Sequence, residues 1–187
     1  MYRKTENAQV NQSLRKLVAG LFEAMETKEY DKITVAEVCR NARVTRRTFY
    51  LNCKSKEDLI CYASDRLMDE MVKRCDPDDD PGEQCYQFLA FWRDHQDFLK
   101  KIYDGGLFPI FRDALMRYCD EVLQPRIDEK FPGYVKQTPK QKHLSNAFFV
   151  GGLGLLLYEW TEDGFTLTPD ELLRAIPQFV AGAKMRR

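Results

Sequence analysis

Side chains that can recognise another molecule are concentrated near the N-terminus, between residues 33 and 59. Arg46 and Arg47 each carry a planar fork of N–H donors, which suits two neighbouring acceptor atoms on one flat group. Thr48 can donate or accept a hydrogen bond, and the phenol of Tyr50 can do the same. These residue types suit the recognition of planar acceptors and of anions.

Two short helices joined by a tight corner are predicted to position these side chains. Thr34 and Glu37 have the spacing of a capping box, which indicates the start of the first helix. The corner falls at residues 41–44, and Thr45 is suited to cap the second helix. Ser55, with an acidic residue three positions later, predicts the start of a third helix. A short helix, a turn and a second helix with exposed Arg, Thr and Tyr form a helix-turn-helix, whose second helix lies in the DNA major groove.

The second helix therefore supplies most of the residues that we expect to contact double-stranded DNA. Arginine can bind two acceptors on guanine, and threonine can hydrogen-bond a base or contact a thymine methyl group. Hydroxyl and ammonium groups can hold backbone phosphates. We assign Arg46, Arg47 and Thr48 to base edges. The complete predicted set is Thr34, Thr45, Arg46, Arg47, Thr48, Tyr50, Lys54 and Lys56, with Thr34, Tyr50, Lys54 and Lys56 assigned to phosphates.

The stretch VTRRTFYLNCKSKEDL at residues 44–59 resembles the DNA-binding signature of the TetR family of bacterial transcriptional regulators. The T-F-Y core at residues 48–50 and the K-S-K-E-D-L run at residues 54–59 carry the resemblance. It implies a homodimer that binds a pseudo-palindromic operator and acts as a repressor, with an activator as the alternative. It also implies that an effector releases the protein from DNA or modulates its binding.

Two departures from the family pattern leave a second hypothesis open. Arg43 stands at the corner where the family usually carries glycine, and Asn52–Cys53 replace the usual aromatic or histidine pair. Either departure could alter the DNA-facing surface. The alternative function is a TetR-like helical module that binds a small molecule or a protein co-regulator, with DNA binding weakened or lost. A specific complex whose affinity falls steeply with salt would separate the two hypotheses.

Length and charge predict two parts with different roles. The chain has 187 residues, enough for a real core in one or two domains. Net charge is zero, but residues 1–60 hold 12 basic and 8 acidic side chains, whereas residues 61–187 hold 17 and 21. This difference in charge between the two parts is small, and it supports DNA binding only together with the helix-turn-helix motif. We predict a DNA-binding domain at residues 1–60 and a helical ligand-binding and dimerisation domain at residues 61–187.

Catalysis, metal binding and membrane insertion are not expected. The chain has two widely separated histidines, no glycine-rich phosphate loop after a strand and no G-x-S-x-G motif. Its six cysteines lack zinc-site spacing, which predicts no metal or cofactor and fits buried thiols in a reducing cytoplasm. The longest apolar run, residues 148–158, is too short and too rich in glycine to span a membrane.

The remainder of the chain has helical periodicity without a convincing alternating strand, so the predicted fold is all-α. Helices are expected at about residues 83–99, 107–130, 139–161 and 168–183. Aromatic residues in this body could line an effector pocket with a histidine as polar group, although the same spacing also fits a plain core. A protein co-regulator remains the alternative effector. The candidate pocket residues are Trp92, His95, Phe98, Tyr103, Phe108 and Phe111.

The segment 148–160 is apolar on nearly every face, which indicates a helix that is covered on all sides. A partner chain could supply one covering layer, and the alternative is a central helix of the monomer core. The region 147–180 resembles a TetR branch of Gram-positive bacteria that includes regulators of the dihydroxyacetone kinase type. In the family, the last two helices of each chain form a four-helix dimer interface. The predicted interface residues are Phe148, Gly151, Gly152, Leu155, Leu156, Trp160, Leu173 and Ile176.

Overall fold

The computed structural model describes residues 7–75, 79–130 and 137–175, and these residues form helices and loops without a strand. The all-α prediction is confirmed. No helix in the described ranges is long and apolar enough to cross a membrane. The α-helices are α1 (Ala8–Met25), α2 (Val35–Ala42), α3 (Arg46–Asn52), α4 (Glu57–Arg74), α5 (Pro81–Asp94), α6 (Gln96–Asp104), α7 (Phe108–Tyr118), α8 (Gln124–Lys130), α9 (Pro139–Glu162) and α10 (Pro169–Ala175).

Helices α1 to α3 and the first turns of α4 form the head, which has its own apolar core. Leu14, Leu17 and Leu21 recur along one face of α1 and are fully buried. Helix α2 packs closely on α1 at Gly20, where an added Cβ would lie 2.7 Å from the backbone nitrogen of Ala42. A side chain at position 20 would therefore push α2 away and move the whole corner.

Helix α4 connects the head to the body, which consists of the rest of α4 and the helices that follow it. The proposed domain boundary at residue 60 falls inside this helix. In the body, Asp65 of α4 pairs with Arg117 of α7 at 2.6 Å. The hydroxyl of Tyr118 donates to Asp69 of α4 at 2.6 Å. These polar contacts fix α4 against α7 within a largely apolar interface, and α5, α6 and α9 complete the body.

Three predicted helix boundaries differ from the structure for local reasons. The helix expected at 83–99 divides at His95, whose ring Nδ1 lies 2.8 Å from the carbonyl oxygen of Phe91. The helix expected at 107–130 contains a π-helical turn at Cys119–Leu123, just before Pro125, which has no N–H to donate. Helix α4 begins at Glu57 and not at Ser55.

The capping box predicted at the start of α2 is confirmed, and a second capping box lies at the start of α10. Thr34 and Glu37 cap each other at the start of α2. Thr168 accepts from the Glu171 backbone at 3.3 Å while the Glu171 carboxylate accepts from the Thr168 backbone at 2.9 Å. The predicted Ser55 box was wrong, because Asp58 accepts a hydrogen bond from the Lys54 amide at 2.7 Å instead. The part of the last predicted helix after residue 175 lies outside the described residues.

Candidate nucleic-acid interface

The corner between α2 and α3 is formed with an arginine in the left-handed region. Arg43 has φ 52° and ψ 41°. Its amide donates to the Arg40 carbonyl at 3.1 Å, and the Val44 amide donates to the Cys39 carbonyl at 2.9 Å. These bonds satisfy the last carbonyls of α2. The corner therefore has the backbone that glycine favours, and the side chain of Arg43 remains exposed.

Replacing Arg43 by Gly is expected to stabilise the head. A left-handed non-glycine residue costs about 1–2 kcal/mol, while glycine adds about 0.5–1 kcal/mol of chain entropy to the unfolded state. The net gain in the free energy of unfolding is about 0.5–1 kcal/mol, measurable by urea titration. Arg43→Ala is the matched control, because alanine keeps the backbone strain. Equal stability of the two variants would contradict this account.

Helix α3 presents two arginines to solvent. Thr45 caps the helix by accepting from the Thr48 amide at 3.1 Å, and the two threonine hydroxyls lie 2.9 Å apart. Phe49 is completely buried and anchors the helix to the head. Arg46 and Arg47 are exposed, and neither forms an ion pair or hydrogen bond with the described part of the chain. Their guanidinium groups are available to an external acceptor.

The residues after the centre of α3 divide between the surface and the core. Tyr50 and Lys54 are exposed, as expected for groups that contact a ligand. Asn52 is buried, and its amide donates to the Thr48 carbonyl at 2.8 Å. Cys53 is also buried, and burial raises the pKa of its thiol to about 12. The departure at residues 52–53 therefore points into the head, and the protonated thiol is unsuited to redox sensing.

Thr34 lies at the exposed start of α2, but its hydroxyl already has a structural role. The hydroxyl accepts from the Glu37 amide at 3.2 Å and lies 2.9 Å from the Glu37 carboxylate. Lys28 pairs with the same carboxylate. Hydrogen bonds from Lys28 and Thr34 lower the pKa of Glu37 to about 2. The carboxylate is thus ionised at neutral pH and holds the start of α2 in place.

Lys56 has structural partners that its sequence position does not reveal. Its ammonium group donates to the carbonyl oxygens of Tyr30 and Ile33, each at 2.7 Å. The same ammonium lies 4.2 Å from the centre of the Tyr30 ring. Lys56 therefore joins the start of α4 to the connector between α1 and α2. This position suits a residue that orients the helix-turn-helix more than one that grips phosphate.

Replacing Lys56 by Ala is expected to destabilise the head without changing the salt dependence of DNA binding. Hydrogen bonds to a charged donor contribute about 1.5–3 kcal/mol, so the free energy of unfolding should fall by about that amount. Lys54→Ala is the control, because that side chain is exposed and surface changes usually stay within about 0.5 kcal/mol. A shallower salt slope with unchanged stability would instead assign Lys56 to phosphate.

The positive charge of the interface is more concentrated than the balance of the first 60 residues suggests. Residues 38–56 contain six arginines or lysines and no aspartate or glutamate. Arg40 and Arg43 are exposed beside α3 and enlarge the surface beyond the predicted set. This concentration of positive charge is visible in the sequence when residues 38–56 are considered by themselves. Such a patch favours association with a polyanion.

A comparison with known families identifies the body of the protein. The family described as the C-terminal region of a transcriptional regulator, of TetR type, matches residues 79–182, more than half of the chain. The chain belongs to the TetR family of transcriptional regulators. This match covers the body, whereas the sequence resemblance at residues 44–59 lies in the head. The TetR assignment therefore draws on both parts of the chain.

Two solved structures have the same TetR-like fold. Lin0861 from Listeria innocua is 18% identical, with a TM-score of 0.74 over 96% of this chain and 94% of that chain. The fatty acid degradation regulator FadR from Bacillus halodurans is 17% identical, with a TM-score of 0.50 over 98% of this chain and 100% of that chain. No curated protein matches the chain. At these identities the structural likeness establishes the fold alone.

Helix α9 has one buried face and one exposed apolar face. Val150, Leu157 and Trp160 turn into the body. On the opposite side, Phe148 is 65% exposed and Leu155 is 58% exposed. We define the exposed face of α9 by residues spaced three or four apart, among which the glycines leave open space for another backbone. Its members are Leu144, Phe148, Gly151, Gly152 and Leu155.

The remaining predicted interface residues have different surroundings. Trp160 lies in the core of its own chain, where its indole N–H donates to the Leu167 carbonyl at 3.1 Å and its ring packs on Phe165. This placement removes Trp160 from the candidate interface. Leu156 and Leu173 are half-buried. Ile176 lies outside the described residues.

The candidate pocket residues pack against one another. The ring of Phe111 lies 5.3 Å from that of Trp92, 5.8 Å from that of Phe98 and 6.0 Å from that of Phe108. Trp92 and Phe111 are fully buried, so these four rings form a closed aromatic cluster. The indole N–H of Trp92 is buried and has no hydrogen-bond partner among the residues that the structure describes. A ligand at this place would have to separate the rings, and it could accept a hydrogen bond from Trp92.

The two polar members of the predicted pocket lie at the edges of this cluster. His95 stacks on Phe91 with ring centres 4.2 Å apart. Tyr103 donates to Glu162 at 3.0 Å, and this hydrogen bond raises the pKa of the phenol to about 12. Surface cavities of about 380 and 360 Å³ lie elsewhere, one beside Asp120 and His143 and the other between Met25 and Gly105.

Proposed function

We propose that this TetR-family protein is a homodimeric, sequence-specific DNA-binding repressor. The observation that carries the proposal is the outward face of α3, where Arg46 and Arg47 are exposed and have no partner among the described residues. They lie in the segment 38–56, which is free of acidic residues. An arginine that is already desolvated by an internal partner gains little from a new acceptor. Unpaired arginines retain their full capacity for guanine or phosphate. Because its proposed target is the bacterial chromosome, the protein would act in the cytoplasm.

The residues of the head divide into four proposed roles. Arg46, Arg47 and Thr48 contact base edges, since they occupy the first turn of α3. Tyr50 and Lys54 hold phosphates on either side. Thr34 and Thr45 keep their roles as helix caps and bring backbone amides close to the DNA. Lys56 supports the arrangement from behind through the carbonyls described above.

Dimerisation would use the exposed face of α9. An exposed phenylalanine and leucine on one helical stripe lose contact with water when a second copy covers them. The glycines at 151 and 152 permit a close approach of two helices, and α10 would pack beside them. A two-fold dimer presents two copies of α3 to two half-sites, about one helical turn or a multiple apart. The operator is therefore expected to be a pseudo-palindrome.

Release from DNA would require an effector that acts on the body. A small apolar molecule with a hydrogen-bond acceptor could separate the aromatic cluster and pair with Trp92. A protein co-regulator is the alternative effector. The aromatic cluster is closed, and a protein that binds the surface of the body would not have to open it. Either effector would act through α4, which belongs to both the head and the body.

Selection from random duplex DNA with the purified protein tests the proposal, followed by titration of the selected sequence at several salt concentrations. A two-fold-symmetric sequence and a steep fall of affinity with salt are expected. A repetition with cell extract tests whether an effector is required. If neither selection enriches a sequence, the alternative of a helical module without DNA binding replaces the proposal.

A further inference from the structure

Leu51 is a large apolar side chain that nothing in the described chain covers. It is 65% exposed, although the neighbouring Asn52 and the nearby Phe49 are buried. Residues turn about 100° per position in a helix, so Leu51 lies on the side of α3 opposite Phe49. The core of the head is already filled, with Leu14 and Leu17 fully buried. Leu51 is therefore directed away from the head.

Leu51 shares the outermost edge of α3 with Arg47. The two residues are four positions apart, which brings them to within about 40° of each other around the helix. Side chains at this spacing are surface neighbours. Arg47 is likewise exposed, so the most outward line of α3 carries one guanidinium group followed by one isobutyl group. A partner that covers this line must offer an acceptor beside an apolar group.

The basic residues near Leu51 indicate that the molecule covering it is negatively charged. Arg43 and Lys54 are exposed on either side in the sequence, and the segment 38–56 has no acidic side chain. An apolar protein surface would have to desolvate these cations without compensation. Duplex DNA supplies phosphates for the cations and, in the major groove, one apolar group on its bases, the C5-methyl of thymine.

We propose that Leu51 is a specificity-determining residue that contacts the C5-methyl group of a thymine in each operator half-site. The proposal rests on the proposed DNA-binding function and adds the base that this position prefers. Contact with Leu51 favours thymine over cytosine, which lacks the methyl group. The thymine would lie next to the base bound by Arg47, because the two side chains are adjacent on α3.

Replacement of thymine by deoxyuridine in the selected operator removes only the methyl group and provides the test. Each conserved thymine is replaced in turn, in both half-sites, and affinity is measured for the wild-type protein and for Leu51→Ala. Burial of one methyl group corresponds to about fourfold in affinity for each half-site. At one thymine, deoxyuridine should lower the operator affinity of the wild-type protein by this factor and leave the affinity of Leu51→Ala unchanged. Leu167→Ala, an exposed leucine outside the head, should respond like the wild type.

The outcomes separate this proposal from the proposed function. Coupling between the Leu51 side chain and one methyl group supports the contact. A selected operator without a fixed thymine, or a deoxyuridine effect that is equal in wild type and Leu51→Ala, overturns it while DNA recognition stands. Absence of any selected sequence, with and without cell extract, overturns both. Equal melting temperatures of the wild-type protein and Leu51→Ala exclude misfolding as the cause of a changed response to deoxyuridine.

Discussion

Replacing Phe148 by Glu is expected to dissociate the dimer and to lower operator affinity by about 10²- to 10⁴-fold, the gain that linkage of two binding modules provides. Phe148 is 65% exposed at the centre of the exposed face of α9. In a symmetric dimer the substitution would bury two like charges without partners, which is strongly unfavourable. Because the side chain is exposed in the single chain, the monomer should still fold. Sedimentation and operator titration measure the two effects.

Two variants show whether the effect belongs to the interface. Phe148→Leu keeps an apolar group on the exposed face of α9 and should remain dimeric. Leu167→Glu adds the same charge at an exposed leucine outside α9 and should change neither assembly nor affinity. A Phe148→Glu protein that stays dimeric with full operator affinity would show that the two copies meet through another surface.

Replacing Arg46 or Arg47 by Ala is expected to cost about 1–3 kcal/mol of operator affinity, if the guanidinium binds one base through two hydrogen bonds. The same variant should accept a wider set of bases at one position of each half-site, because a base contact carries sequence information. A repeated selection with each variant measures the lost preference, and titration of the wild-type operator measures the lost affinity.

Variants of two other basic residues serve as controls for Arg46→Ala and Arg47→Ala. Arg112→Ala removes an exposed arginine of α7, paired with Asp113, and should leave DNA binding unchanged. Lys54→Ala should weaken all sequences alike and reduce the salt slope by about one, as expected for a lost phosphate contact. Unchanged affinity and unchanged preference in both Arg46→Ala and Arg47→Ala would refute the assignment of these residues to base edges.

Helices α2 and α3 of the head can be predicted from the sequence, since their signals are local. A capping box needs a threonine and a glutamate three residues apart, and Thr34 with Glu37 meets that condition without help from the rest of the chain. The same holds for Thr168 with Glu171. Leu14, Leu17 and Leu21 recur at helical spacing in the sequence, so the buried face of α1 is also a local signal. The family resemblance followed from the order of residues in one continuous segment.

Which side chains remain available to a partner depends on the tertiary structure. Lys56 resembles other surface lysines until the carbonyls of Tyr30 and Ile33, more than 20 positions earlier, are brought to its ammonium. Trp160 belongs to a run that is apolar on all sides, and only the packing of α9 on the body shows which face is covered. Leu51 carries no signal of exposure in the sequence, because an apolar residue in a short helix usually belongs to the core. Hydrogen bonding and burial depend on groups distant in the chain, and a local pattern does not contain that information.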